Sequence, residues 1–396
     1  MVAALRRSAG HVTPVGRALL LLLAATLLVT LISGLAEFAT IAWLSGLLLL
    51  AGLPFVLLPN RTRGHVVLRS TRTVVGEVGA GRLHVTNRGG LTLRHPVVDV
   101  PVGDRLVTVR LPRLAPGREA SGAFDVPAYR RGVLTVGPAL ARRSDPLGLY
   151  RRSMSWAPPV ELLVRPRMVA LEGVTLGTTQ DLDGAPSDQV SMSDLAFHAM
   201  REYVRGDDLR HVHWRSSARA GQLHVRQYHD SRRSRALVLV DDDAGAYPGP
   251  DAFELAVSVA ASVLVRLTED AYDASLVCGD HRVVDGSLDD LLDSTCRIET
   301  RAAGDLLAAG QDAAALIGGA SLVLLLTGDR VDPHRVRVLR ATYGHEATFL
   351  VLLTGRAADE TAPPALADDL AVVLRLTSLD ALPPALAALS RQAALA

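Results

Sequence analysis

The sequence predicts a transmembrane helical hairpin, a small β-sandwich-like domain and a doubly wound α/β domain, and three patterns carry that reading. Two uncharged apolar runs stand side by side near the N-terminus. Short alternating runs broken by Gly, Pro and Asn fill the stretch that follows. Beyond about residue 235, continuous apolar runs alternate with helical periodicity, the mark of a parallel sheet covered on both faces. At 396 residues the chain is long enough for the hairpin and two ordinary domains. The expected division is 1–17 as a cytoplasmic N-terminus, 18–59 as two transmembrane helices, 64–166 as the β-rich domain, 167–234 as a linker and signature segment, and 235–396 as the α/β domain.

Ala18 to Ala36 contains no charged side chain, and Phe38 to Pro59, which includes Trp43 and Phe55, is a second uncharged run after Glu37. A helix needs about 20 apolar residues to cross roughly 30 Å of hydrocarbon, so both runs qualify. The connector is Glu37 and its neighbours, which forces a tight antiparallel hairpin. Arg6, Arg7 and Arg17 precede the first run and Arg61 and Arg63 follow the second, whereas the turn has only an acid. The positive-inside rule then places both ends, and the body after them, in the cytoplasm, as expected for a multi-pass protein of the bacterial inner membrane. The competing reading is a signal peptide cleaved near Gly34-Leu35-Ala36. The length of the first run and the closeness of the second favour the hairpin.

Composition excludes several classes. The formal charge of +1 gives no reason to expect a globally basic nucleic-acid binder. All 42 basic residues are Arg, and no Lys occurs. Cys278 and Cys296 stand alone, without CxxC or Cys/His ligand spacing, which argues against a disulfide framework or a structural zinc site.

Within the β-rich stretch, His65–Leu68, Arg82–Thr86, Leu106–Leu111 and Val160–Val164 have strand character, separated by Asn87-Arg88-Gly89-Gly90, Pro112, Pro116-Gly117 and Pro158-Pro159. It holds no clustered carboxylates and no nucleophile with a nearby base. Leu171 to Asp194, rich in Gly, Thr, Asp and Ser, has the composition of a linker. In the α/β stretch, strands are expected at Ala236–Val240, Ala274–Cys278, Leu322–Leu326, Thr348–Leu353 and Ala371–Leu376. Helices are expected at Ala252–Leu267, Ser287–Thr295, Asp305–Ile317, Pro333–Tyr343 and after Leu379. Functional residues of such sheets sit at the carboxyl ends of strands, where this chain carries Asp241, Asp243 and Asp329.

Between Arg201 and Arg235 the chain has nine Arg, four acids and four His. Three readings compete there. His211, His213, His224 and His229 include an H-x-H pair whose imidazoles share one face of a strand, a metal-binding arrangement without a third ligand at recognisable spacing. The Arg cluster is also suited to gripping a phosphate or lipid headgroup. The structural reading pairs Arg with Glu202, Asp207 and Asp208, buries Trp214, and makes the segment a stitch between the two domains.

The run Arg201-Glu202-Tyr203-x-x-Gly206-Asp207-Asp208-x-Arg210-x-x-x-Trp214-x-x-Ser217-Ala218-Arg219 resembles the signature of the "domain of unknown function 58" proteins. Tyr129-Arg130-Arg131-Gly132 through Asp145-Pro146-Leu147-Gly148-Leu149 is similar to that family's upstream region, and a membrane hairpin in front is its usual layout. The resemblance implies a C-terminal domain similar to von Willebrand factor type A domains, which can bind a divalent cation through an Asp-x-Ser-x-Ser loop. Here the corresponding loop is Asp241-Asp242-Asp243-Ala244-Gly245, with Asp for the first Ser and Gly for the second; Asp329 stands in the place of a later Asp. The implied site is thus degenerate: a metal-free acidic loop, or a hard cation such as Mg²⁺ or Ca²⁺ held by extra carboxylates. The resemblance also implies partners, MoxR-type AAA+ ATPases and membrane proteins with transglutaminase-like domains.

The sequence offers no G-x-S-x-G elbow, no H-E-x-x-H and no Walker-type loop. The expected function is therefore a non-enzymatic membrane-anchored adaptor that binds a protein partner through its α/β domain. A structural membrane protein acting through its β domain comes next, and a metal-dependent hydrolase last.

Overall fold

The computed structural model describes residues 12–57, 62–90, 92–171, 195–203, 212–230, 234–344, 347–355 and 372–395. The chain forms two compact units, residues 1–165 and 166–396.

The first unit begins with helices α1 (Pro14–Ser33) and α2 (Ala36–Leu57), each long and apolar enough to cross a membrane. The hydroxyl of Thr13 accepts from the Gly16 N–H at 3.1 Å and caps α1, with Pro14 following where a missing N–H costs nothing. Gly34, at φ 66°, ends α1, and the chain turns back at once into α2. Large apolar side chains face outward along both helices; Leu21 is 72% exposed and Trp43 82%. A soluble helix confines such residues to one stripe.

Ten strands follow: β1 (Thr62–Leu68), β2 (Arg72–Val74), β3 (Val78–Asn87), β4 (Val97–Val102), β5 (Arg105–Arg110), β6 (Glu119–Pro127), β7 (Gly132–Val136), β8 (Ala139–Ser144), β9 (Arg151–Ala157) and β10 (Val160–Arg165). They build two sheets. One has the order β1-β3-β6; the other has the order β2-β10-β7-β4-β8-β9, with β5 on β4. Every pairing is antiparallel except β10 with β2. Leu83 and Val85 of the first sheet and Val98, Val100, Leu162 and Val164 of the second share one buried cluster. The period-two alternation of β3 puts Leu83 and Val85 into that core and leaves Arg82 outside.

The turn between β8 and β9 packs on the two apolar helices. Asp145, almost fully buried, closes it by accepting from the Tyr150 N–H at 2.6 Å and the Leu147 N–H at 3.0 Å. Thr13 donates its hydroxyl to the Gly148 carbonyl at 2.6 Å, and its N–H to the Leu149 carbonyl at 2.9 Å. The Tyr150 hydroxyl donates to the Leu49 carbonyl at 3.2 Å, and Leu49, Leu149 and Tyr150 form a small core with Leu19, Leu23 and Leu53 around it. Burial and the Asp145 carboxylate both raise the Tyr150 pKa, which keeps that donor protonated.

In the second unit, β11 (Leu195–Glu202) and β12 (His224–Asp230) form an antiparallel pair, with the short helix α3 (Trp214–Ala220) before β12. The sequence reading assigned no structure to this pair. A six-stranded sheet follows, made of β13 (Arg235–Val240), β14 (Asp273–Cys278), β15 (His281–Val283), β16 (Leu322–Gly328), β17 (Thr348–Thr354) and β18 (Val372–Leu376), in the order β15-β14-β13-β16-β17-β18. All pairings are parallel except β15 on β14. Counted along the chain this is 3-2-1-4-5-6, a doubly wound order with an antiparallel edge. Helices α4 (Pro250–Glu269), α5 (Leu288–Thr295), α6 (Leu306–Ile317), α7 (Pro333–Thr342) and α8 (Leu382–Leu395) lie between and after the strands. Ala236 to Val240 of β13 and every residue of β16 are buried, although their side chains point to alternate faces, so both faces are covered. Ser287, Asp305 and Asp332 cap α5, α6 and α7 through their side-chain oxygens.

The fit of the β8–β9 turn against α1 leaves no room at Gly16, where a Cβ would collide with the Leu149 carbonyl. Gly16→Val should therefore lower the stability of the first unit by about 1–3 kcal/mol and make the 145–150 turn sensitive to limited proteolysis in detergent. Unchanged melting and unchanged cleavage would show that the turn does not rest on the helix.

Candidate functional site

Strand order places a crevice at the carboxyl ends of β13 and β16, because chain progression runs to one side from β13 and to the other from β16. The loop leaving β13 is Asp241-Asp242-Asp243, and each carboxylate has a different task.

Asp241 is 2% exposed. Its Oδ2 accepts from the Thr327 hydroxyl at 2.7 Å, and its Oδ1 accepts from the Asp243 N–H at 3.0 Å. Its backbone carbonyl accepts from the Tyr247 hydroxyl at 2.8 Å. Thr327 is the penultimate residue of β16, so the Asp241 side chain joins the two strands across the crevice. Burial pushes its pKa up to about 6, against the lowering effect of the two hydrogen bonds.

Asp242 is 3% exposed. Its Oδ2 lies 3.6 Å from Arg301 Nε, while Oδ1 has no hydrogen-bond partner among the described residues. Burial raises its pKa and Arg301 opposes the rise. The backbone is tied to the same residue: the Arg301 N–H donates to the Asp242 carbonyl at 2.7 Å, and the Ala244 N–H to the Arg301 carbonyl at 2.9 Å. Arg301 then reaches outward to Asp280 at 2.6 Å. Gly279, at φ 53°, and Gly304 flank Asp242 so closely that a Cβ on either would strike its carboxylate.

Asp243 is partly exposed. Its Oδ1 accepts from the Gly245 N–H at 2.9 Å and caps the 3₁₀ turn Ala244–Ala246, while its Oδ2 lies 3.3 Å from Arg335 of α7. Asp329 is exposed just past β16 and packs closely on Gly355.

Asp241 and Asp243 thus lie side by side, but their oxygens face Thr327, backbone N–H groups and Arg335. Asp241, Asp243 and Asp329 are not drawn around one point, and among the described residues no group of three or more His, Cys, Asp or Glu is placed to hold a metal ion. The residues present do not fit a divalent cation in this arrangement. They form a closed Asp–Thr–Arg network with an acidic outer rim at Asp243, Asp280 and Asp329.

Of the signature, Gly206, Asp207, Asp208 and Arg210 lie outside the described residues, as do the side chains of Arg201 and Glu202 and the imidazoles of His211 and His229. The Tyr203 N–H donates to the Leu223 carbonyl at 2.8 Å, which closes the β11–β12 pair. The His213 ring is a helix cap: its Nδ1 faces the Ser216 N–H at 3.2 Å and the Ser216 hydroxyl at 2.7 Å. His224 Nδ1 lies 3.0 Å from the Gln222 carbonyl. Trp214 corrects the structural reading. Expected inside, it is 63% exposed. Ser217, one turn on, is the residue that faces β12, its hydroxyl accepting from the His224 N–H at 2.8 Å. Ser217 and Val212 are the buried residues instead, while Ala218 and Arg219 face outward.

The sequence reading missed Asp242, Thr327, Arg301 and Arg335. Thr327 carried a signal, a hydroxyl directly after the apolar run Leu322–Leu326. Arg301 and Arg335 carried none, because their roles depend on distant loops meeting.

Residues 199–284 match the family model described as "Protein of unknown function DUF58", the family whose signature the chain carries. The match runs from β11 past β15 and includes the Asp241–Asp243 loop. No curated protein matches the chain. Among solved structures, the chain is similar to the CARDB domain of a Pyrococcus furiosus protein in complex with di-metal ions, at 16% identity and a TM-score of 0.21, covering 26% of this chain and 93% of that one. It is also similar to proximal thread matrix protein 1 from the mussel byssus, at 15% identity and a TM-score of 0.29, covering 41% of this chain and 46% of that one. Likeness at this level carries no functional meaning.

Two outcomes test the site. A buried carboxyl with a folded pKa near 6, against about 3.9 unfolded, favours the native state while protonated. That contribution is complete below about pH 4 and is lost as pH rises through about 6. Relative to Asp241→Asn, the wild-type chain should lose roughly 3 kcal/mol of stability between those limits, read from urea midpoints; a difference independent of pH would refute the assignment. Gly304→Ala, forced onto Asp242, should cost about 1–3 kcal/mol at any pH in the same assay.

Proposed function

We propose that this DUF58-matching chain is a non-enzymatic, membrane-anchored adaptor. Its apolar hairpin crosses the bacterial inner membrane with the body in the cytoplasm, and its von Willebrand factor type A-like unit docks a protein partner, a MoxR-type AAA+ ATPase or that ATPase's client. One observation carries the reading. The crevice where a doubly wound sheet takes its ligand is closed by bonds among its own residues, from Asp241 to Thr327, Asp242 to Arg301 and Asp243 to Arg335. Around it stands a charged rim, with Asp280 77% exposed. Such a rim selects and steers a complementary protein surface. The exposed indole of Trp214 on the signature helix adds an apolar anchor of the kind interfaces favour.

The test is capture of the purified cognate ATPase by the full chain in detergent. Wild type should retain it, and the variant Asp280→Arg, at the most exposed acid of the rim, should bind roughly tenfold more weakly at a temperature where both chains are shown to be folded. Retention no greater than on bare resin, or unaltered by charge reversal, would sink the adaptor reading.

A further inference from the structure

The β8–β9 turn touches positions well inside the second apolar helix. Gly52, whose added Cβ would meet the Tyr150 ring at 2.9 Å, lies five residues before the end of α2, and Leu49, which accepts the Tyr150 hydroxyl, lies eight before it. At 1.5 Å per residue these contacts sit about 8 and 12 Å in from that end. On the other side the turn meets Thr13 and Gly16, the cap and first turn of α1. Helix α1 has 20 residues, about the minimum for roughly 30 Å of hydrocarbon. A hairpin that spans the bilayer therefore has its first turn at the lipid boundary, and whatever packs there is at the same depth.

The remaining surface of the turn suits that depth. Leu147, at its tip, is 53% exposed beside Gly148, which turns the chain at φ 68°. Arg151, directly after the turn, is exposed. The acid of the turn, Asp145, is buried and spends both oxygens on backbone N–H groups. What faces outward is an apolar tip followed by a guanidinium group, the combination that enters the interface and binds phosphate headgroups.

We infer that the 145–151 turn is a lipid-binding element, in which Leu147 enters the bilayer interface and Arg151 binds the phosphates of anionic phospholipids, fixing the β-rich unit against the membrane face. This rests on the reading of α1 and α2 as a membrane-spanning hairpin.

The experiment reconstitutes the full chain carrying Leu147→Trp into vesicles of phosphatidylcholine, alone or mixed with phosphatidylglycerol, with wild type supplying the background of its own tryptophans. The added emission should shift to the blue and be quenched by lipids brominated near the headgroup. The shifted fraction should be larger in the mixed vesicles, and Arg151→Glu should lower the ratio of shifted to unshifted probe about fivefold there. Alkaline carbonate separates the two claims. Release of the chain from the vesicles overturns the spanning hairpin, and this inference with it. A retained chain with an unquenched, unshifted probe leaves the hairpin standing and overturns the lipid-binding turn. Equal quenching in both vesicle types, unmoved by Arg151→Glu, overturns the assignment to anionic headgroups.

Discussion

The Asp241 carboxylate stands where β13 and β16 part, and the geometry at that end of the sheet follows from it. One oxygen takes the Thr327 hydroxyl and ties the two central strands together. The other takes the Asp243 N–H and bends the chain, so that Asp243 caps the next turn and Asp242 turns inward. A carboxylate in a dry interior is costly unless hydrogen-bonded, and here the cost is met in part by those two donors and in part by the raised affinity for a proton. Remove the tie, and three acids in sequence have no reason to point in three directions.

The arrangement around it is correspondingly intolerant. Gly279 and Gly304 press on Asp242, and Gly328 lets the end of β16 approach the Ala246 carbonyl. Arg301 binds the loop through its backbone on both sides and through its side chain to Asp242 and Asp280. A polar network this tightly packed contributes more to a single loop conformation than to net stability, since each ion buried has lost its water.

Much of this was legible from residue patterns. The five parallel strands read directly, because strands buried on both faces are continuous apolar runs, and helices α4 to α7 start within two residues of their expected positions. The edge strand β15 escaped notice because His281-Arg282-Val283 is short and polar. The acid loop was found through its position at a strand end, but its internal bonding was not, since Thr327 and Arg301 are brought to Asp241 and Asp242 only by the fold. Trp214 was misread because an indole is apolar by type, whereas which residues of so short a helix face β12 is decided by contacts such as Ser217 with His224. The grip of Tyr150 on Leu49, across 101 positions of chain, had no local signal at all.

Strand β15 has a further consequence. Three residues long, antiparallel to its neighbour, with His281 and Arg282 exposed, it closes one margin of an otherwise long parallel sheet. Arg282 is also held by Asp312 at 2.7 Å. Such a margin is a poor template for another backbone, so β-augmentation and amyloid-like pairing find little purchase along it. Neighbouring copies of the chain therefore meet no long free ladder on that side of the sheet.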